Sequence, residues 1–128
     1  MIDVNKITSI ISSSPKKYSH IKFNPPESVQ RAAASGLKMR KEHGRGGTEV
    51  GVARARDLSN GTSTSPRTAR RMKAYFDRHE IDKKGRGWEL GTDGYPSAGK
   101  IAWLLWGGNP GRSRANKLVR QMNAADDK

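Results

Sequence analysis

Cysteine is absent from the 128-residue chain. That excludes disulfide staples, thiolate-held zinc fingers and thiol catalysis, and it fits a reducing compartment. Aromatics are scarce, with three Trp, three Tyr and two Phe. A core built from so few large rings is small, and the three Trp must carry much of it. No apolar run approaches the roughly 20 residues that span a bilayer, so no membrane partner is expected. The opening stretch, Met1 to Lys6, has no basic segment leading into a long apolar one, and no secretory signal is expected from it. Acidic residues are the remaining shortage: twelve Asp and Glu stand against twenty-five Lys and Arg, a net charge of +13.

That imbalance points to a polyanion. Like charge at this density destabilises a compact fold through self-repulsion, and solubility alone needs a net charge of only about 2–8 in a small domain. Nucleic acid is the commonest polyanion, and clustered Lys and Arg are its expected footprint. The clusters fall in segments with helical patterning: Arg54 and Arg56 in one, Arg67, Arg70, Arg71, Lys73 and Arg78 in the next, and Arg112, Arg114, Lys117 and Arg120 in the last. Arg45 in a Gly-rich turn and Lys16, Lys17 and Lys22 near the N-terminus complete the candidate contacts.

The length suits one domain, preceded by an arm over residues 1–24. Val4 to Ile11 has the spacing of a short amphipathic helix; Lys16 to Asn24 reads as extended. The arm either orders on a nucleic-acid backbone through its lysines, or docks Ile7, Ile11, Tyr18 and Phe23 on the body or on a second copy. The body, residues 25–125, is expected to be all-α, a compact bundle of about five helices. Asn24-Pro25-Pro26-Glu27 looks like a helix start, with Asn24 as cap and Pro25 in the first turn. The helix should run to about Lys41 with Val29, Ala33 and Leu37 inward. Thr48 caps a second helix, Ser65-Pro66 opens a third with Ala69, Met72, Phe76 and His79 on one face, and Ser97 caps a fourth. That fourth helix, Ile101 to Trp106, is apolar all round and should be the buried centre. Asn109-Pro110 starts the last, with Ala115, Leu118, Val119 and Met122 inward and the basic residues outward. Residues 80–97 hold four glycines and Pro96 without periodicity and read as an irregular Gly-rich loop pinned by Trp88 and Tyr95.

From Pro25 to about Ala115 the chain resembles a small helical domain of tailed bacteriophages, found alone or attached to head-maturation and related proteins. The residues that carry the resemblance are Gly44-Arg45-Gly46-Gly47-Thr48, Val50 through Leu58, Ser65-Pro66 through Met72, Phe76 through Glu80, and Gly94-Tyr95-Pro96-Ser97 through Trp106-Gly107-Gly108. It implies a phage origin and a helical body, and it supplies no biochemical activity.

Function therefore has to come from the residues. The third helix carries arginines opposite its apolar face and suits a groove or backbone contact. A compact helix-turn-helix stays open but is disfavoured, because the turn Asn60 to Ser65 is longer than the usual 3–4 residues. The loops Gly44 to Thr48 and Gly107 to Arg112 could hold phosphate at a helix start, but a tight interhelical turn explains the first as well, and neither has a Walker ending. His43, His79, Glu80 and Asp82 are the metal-site candidates for a nuclease. His79 reads better as a core histidine on a backbone carbonyl, and no second acidic cluster completes a site. Of the aromatics, only Trp88 stays open for base stacking.

The sequence thus favours a non-enzymatic DNA-binding protein that contacts mainly phosphates, duplex before single strand, with no cofactor or metal. A homodimer is compatible. Its expected place is the host cytoplasm or nucleoid during infection, or the virion. The alternatives are a virion assembly protein docking on an acidic capsid partner, and a small metal-dependent nuclease.

Overall fold

The computed structural model describes residues 16–128. The expected helix over Val4 to Ile11, with Ile7 and Ile11, lies outside the described residues. Five α-helices follow: α1 Glu27–His43, α2 Glu49–Ser59, α3 Pro66–His79, α4 Ala98–Leu105 and α5 Gly108–Asp126. Single 3-10 turns occupy Lys16–Tyr18 and Glu80–Lys84. There is no strand among the described residues, so the all-α reading holds.

Three helix starts follow from their caps. The side chains of Thr48, Ser65 and Ser97 accept from the N–H groups of Gly51, Thr68 and Lys100 at 3.2, 3.1 and 3.0 Å. Each satisfies a donor that the helix cannot, and each preceding segment stays extended. The start of α1 differs from expectation. Pro26 is the capping residue, no side chain caps the helix, and Asn24 takes no part. A proline pushes the residue before it out of the helical region, so Pro25-Pro26 holds the chain extended until Glu27. Gly44, at φ +64, closes α1 by donating to Arg40 O at 2.8 Å.

α1 packs on α2 and α4, and α3 packs on α5. The α1–α4 crossing is close enough to touch backbone. A Cβ at Gly36 would sit 2.7 Å from Leu105 N, so only glycine fits there. The main cluster is built on Trp103. Phe76 and Trp88 meet its ring edge-on, at 4.8 and 5.6 Å, and its indole N–H donates to Asn109 Oδ1 at 3.0 Å. Trp88 is therefore a core ring that anchors the 80–97 loop, and stacking on bases is closed to it. Arg45 fixes the far end of the same loop by donating to Pro96 O at 2.9 and 3.2 Å.

α4 is less central than its composition suggests. Ile101, Trp103 and Leu105 are buried, while Ala102, Leu104 and Trp106 are half-buried. A second cluster explains the arm. Tyr18, Ile21 and Phe23 are buried against Ala69 of α3 and Leu118, Val119, Met122 and Ala125 of α5. Of the two expectations for the arm, its described part follows docking on the body.

Phe23 O accepts from Thr64 N at 2.8 Å and from Arg114 Nη2, which also donates to Thr64 Oγ1 at 3.1 Å. Arg114 was expected outside and is 8% exposed. The reason is its register: it stands four residues before Leu118 and eight before Met122, on the buried face of α5.

Trp103→Ala should cost about 3–5 kcal/mol, the range for removing a large buried aromatic. Trp106→Ala, removing a half-buried ring, should cost clearly less. Urea denaturation of the two variants checks the order, and equal midpoints would remove Trp103 from the centre of the core.

Candidate nucleic-acid interface

Helix α3 buries Ala69, Met72, Tyr75 and Phe76. At 3.6 residues per turn its remaining positions divide into two stripes. Arg67, Arg71, Ala74 and Arg78 form one. Arg70, Lys73 and Asp77 form the other.

The cations of the second stripe have partners. Arg70 donates to Asn123 Oδ1 at 3.0 Å and to Asp126 Oδ2 at 3.1 Å, and Lys73 pairs with Asp77 at 2.7 Å. The first stripe is not. Arg67, Arg71 and Arg78 are exposed, and among the described residues none has a carboxylate within 4.0 Å. Arg54 of α2 adds to this field from the side. It lies 5.7 Å from the Trp106 ring centre and 4.0 Å from Asp57. Burial pushes its guanidinium below the usual value; Asp57 opposes that shift and the like charge of Arg71 adds to it.

An open cleft of about 690 Å³ runs beside the unpaired stripe. Arg71 and Arg78 stand on its α3 side, with Thr48 and Val50 from the start of α2 and Ala98 and Gly99 from the start of α4 across from them. Tyr75 and Trp106 contribute aromatic wall. Their rings stack at 4.5 Å with a 9° interplanar angle, and His79 stacks on the other side of Tyr75 at 4.6 Å. Burial pushes the Tyr75 hydroxyl far above its ordinary value, and the Asp82 charge adds to that.

The other candidate cations are divided by their partners. Lys17 pairs with Asp126 at 2.8 Å and Arg112 with Glu80 at 3.0 Å. Arg45 holds the 80–97 loop and Arg114 is buried between the arm and α5, so neither joins the α3 surface. Lys16, Arg56, Lys117 and Arg120 are exposed, and among the described residues no carboxylate lies within 4.0 Å of any of them. They do not share the α3 stripe.

The Gly44 to Thr48 loop is an interhelical turn, as the simpler expectation had it. A Cβ at Gly46, φ +98, would lie 2.6 Å from Ile101 Cβ, and one at Gly47, φ +77, would lie 2.5 Å from Leu105 Cδ1. The glycines let this backbone press onto α4.

His79 departs from its expected carbonyl bond. Its Nδ1 is 3.0 Å from Asp82 Oδ2. Glu80 is held by Arg112 and, at 3.4 Å, by Lys83, and His43 is exposed at the end of α1. Among the described residues no three His, Asp or Glu side chains gather as a metal site would require. Sequence reasoning missed Tyr75 and Val50 as cleft residues; Tyr75, three after Met72, carried a signal in its helical register. Among the described residues no helix is long and apolar enough to cross a membrane. Scans of family models, curated proteins and solved structures each found no match to the chain.

Asp126 joins arm, α3 and α5, since Tyr18 Oη also donates to it at 2.6 Å. The hydrogen bonds from Lys17 and Tyr18, with the charges of Lys17 and Arg70, hold its carboxyl below the usual carboxylate range. A depressed folded value gives stability that is present above the unfolded value of about 3.9 and is lost as pH falls through the folded one. Asp126→Asn should therefore melt earlier than the parent near neutral pH, by a modest amount for so exposed a group. The two melting curves should converge as the pH is lowered past the carboxylate range. A difference that persists unchanged in acid would show that the carboxylate charge is not its source.

Proposed function

We propose that this chain is a non-enzymatic DNA-binding protein that lays α3 against the phosphate backbone, with little base specificity. The observation that carries the reading is the division of α3 into one stripe whose cations have carboxylate partners and one stripe of three unpaired, exposed guanidinium groups. Arg67 and Arg78 are eleven residues apart, about 16 Å of helix at 1.5 Å per residue. Each strand of a duplex carries one phosphate for about every 3.4 Å of axis, so the three can meet separate phosphates. Arg54 and the net charge of +13 supply the surrounding field that steers a polyanion in.

Backbone contact needs no pocket for a base, and a helix already held by its buried face has no backbone to order on binding, only the arginine side chains. The resemblance to a phage domain suggests where such a protein would act: on DNA in an infected host or on the genome in the head. The same cations would also take the carboxylates of an acidic capsid partner, so the ligand itself has to be tested.

Labelled duplex titrated by fluorescence anisotropy at graded salt makes that test. Affinity should fall steeply with salt. Replacing Arg67, Arg71 and Arg78 together with Ala should weaken binding by roughly tenfold or more at physiological salt, and flatten the log–log slope by about 2.7 for three lost phosphate contacts. Replacing Arg70 and Lys73, whose charges are already partnered, should do less. A folded triple variant with the parent's affinity and slope would overturn the α3 assignment. A parent that ignores duplex at low salt would overturn the DNA reading and leave the acidic-partner one.

A further inference from the structure

A second cleft, of about 630 Å³, opens between the arm, the start of α1 and α5. Its wall contains His20 and Lys22 from the arm, Ser28 from the first turn of α1, and Ser113, Arg114 and Lys117 from α5. No acidic residue lines it. The nearest first-turn acid, Glu27, is paired with Arg31 at 2.8 Å. We propose that this cleft is a binding site for a phosphomonoester group, separate from the α3 stripe.

Arg114 is the first reason. It is more than nine-tenths buried in this wall, and no carboxylate accompanies it. Its Nη2 serves Phe23 O and Thr64 Oγ1, while its Nη1 has no hydrogen-bond partner and is itself closed from solvent, so the cleft meets the guanidinium through its charge. Burial alone pushes its guanidinium down to about 10, so it remains a cation at neutral pH. A buried cation with no carboxylate beside it adds positive potential to the cleft it lines.

The rest of the wall is the second reason. Lys22 and Lys117 are exposed and unpaired among the described residues, and with Arg114 they present three positive charges to one cleft. The N-terminal turn of α1 adds the N–H groups of Glu27 and Ser28, which precede the first helical bonds from Val29 and Gln30 to Pro26 O, and the positive end of its dipole. A dianion with several acceptor oxygens answers lysines, hydroxyls and a helix start that approach from different directions; a planar carboxylate answers fewer. The volume is in the range of small-molecule sites, so a nucleotide-sized ligand fits as well as a bare phosphate. Two sources share that chemistry: a free nucleoside monophosphate and the 5′-phosphate of a strand end.

The test uses the full chain. Inorganic phosphate should raise the melting temperature above that in chloride of equal ionic strength. In 15N-resolved spectra it should shift the amides of Lys22, Ser28 and Lys117. Lys22→Gln with Lys117→Gln, at two exposed positions, should weaken phosphate binding by about tenfold or more. Arg67→Ala with Arg71→Ala and Arg78→Ala should leave it unchanged, which separates this site from the DNA reading. A nucleoside 5′-monophosphate that binds as well as a 5′-phosphorylated oligonucleotide identifies the free ligand. A preference for the phosphorylated oligonucleotide over its 5′-hydroxyl twin identifies the strand end. The proposal fails if chloride matches phosphate at equal ionic strength, or if the folded Lys22/Lys117 variant responds as the parent does.

Discussion

The buried Arg114 guanidinium ties three separate parts of the chain together. It reaches Phe23 O in the arm and Thr64 Oγ1 in the connection before α3, from a position on α5. Removing such a charge from water is costly, and two accepting oxygens recover only part of that. The remainder is supplied by the packing around it. Tyr18, Ile21 and Phe23 close over Ala69 and the inner face of α5, so the arm cannot leave without exposing both the rings and the cation. Because Thr64 lies directly before the Ser65 cap, the same contact fixes where α3 begins. The rotation of α3 about its axis follows from that start and from Ala69 and Met72, and it decides which arginines meet solvent.

Charge is distributed by the same geometry. Asp126 collects Lys17, Tyr18 and Arg70 at the end of α5, and Asp77 holds Lys73. Glu80 takes Arg112 and Lys83. Asp126 and Glu80 are thus committed where elements meet, while Asp77 pairs within α3, and each such surface pair contributes little to stability. Their larger effect is on the field. Neutralising one stripe of α3 leaves the other as a concentrated positive edge, and a separate cleft on α5 retains its own cations. A net charge of +13 spread evenly would steer a polyanion without orienting it.

The helices were legible because their punctuation is local. Thr48, Ser65 and Ser97 cap as their residue types predict, and the apolar period of α3 named Ala69, Met72 and Phe76 correctly. The Pro25-Pro26 start misled because two adjacent prolines fit both a cap-plus-first-turn and an extended lead-in. Arg114 misled for a different reason. Its charge argued for solvent, while its register with Leu118 and Met122 argued for burial, and only tertiary partners decide that conflict. The individual partners of the cations were not readable either. Arg70 to Asp126 and Arg45 to Pro96 span 56 and 51 residues, and nothing local in the sequence records them.

The aromatic residues show why stability and binding can be separated in so small a domain. Trp103 and Trp106 stand three apart on and just beyond α4, yet they serve different surroundings. Trp103 is closed in by Phe76 and Trp88, whereas Trp106 stacks on Tyr75 at the edge of the cleft. Tyr75 meets both tryptophans, at 6.3 and 4.5 Å, and so carries the core out to the surface. A change at Tyr75 therefore disturbs packing and cleft together. Arg67, Arg71 and Arg78 have no such double duty. They share a helix with the core but point away from it, so their charge can be removed while Ala69, Met72 and Phe76 hold the helix in place.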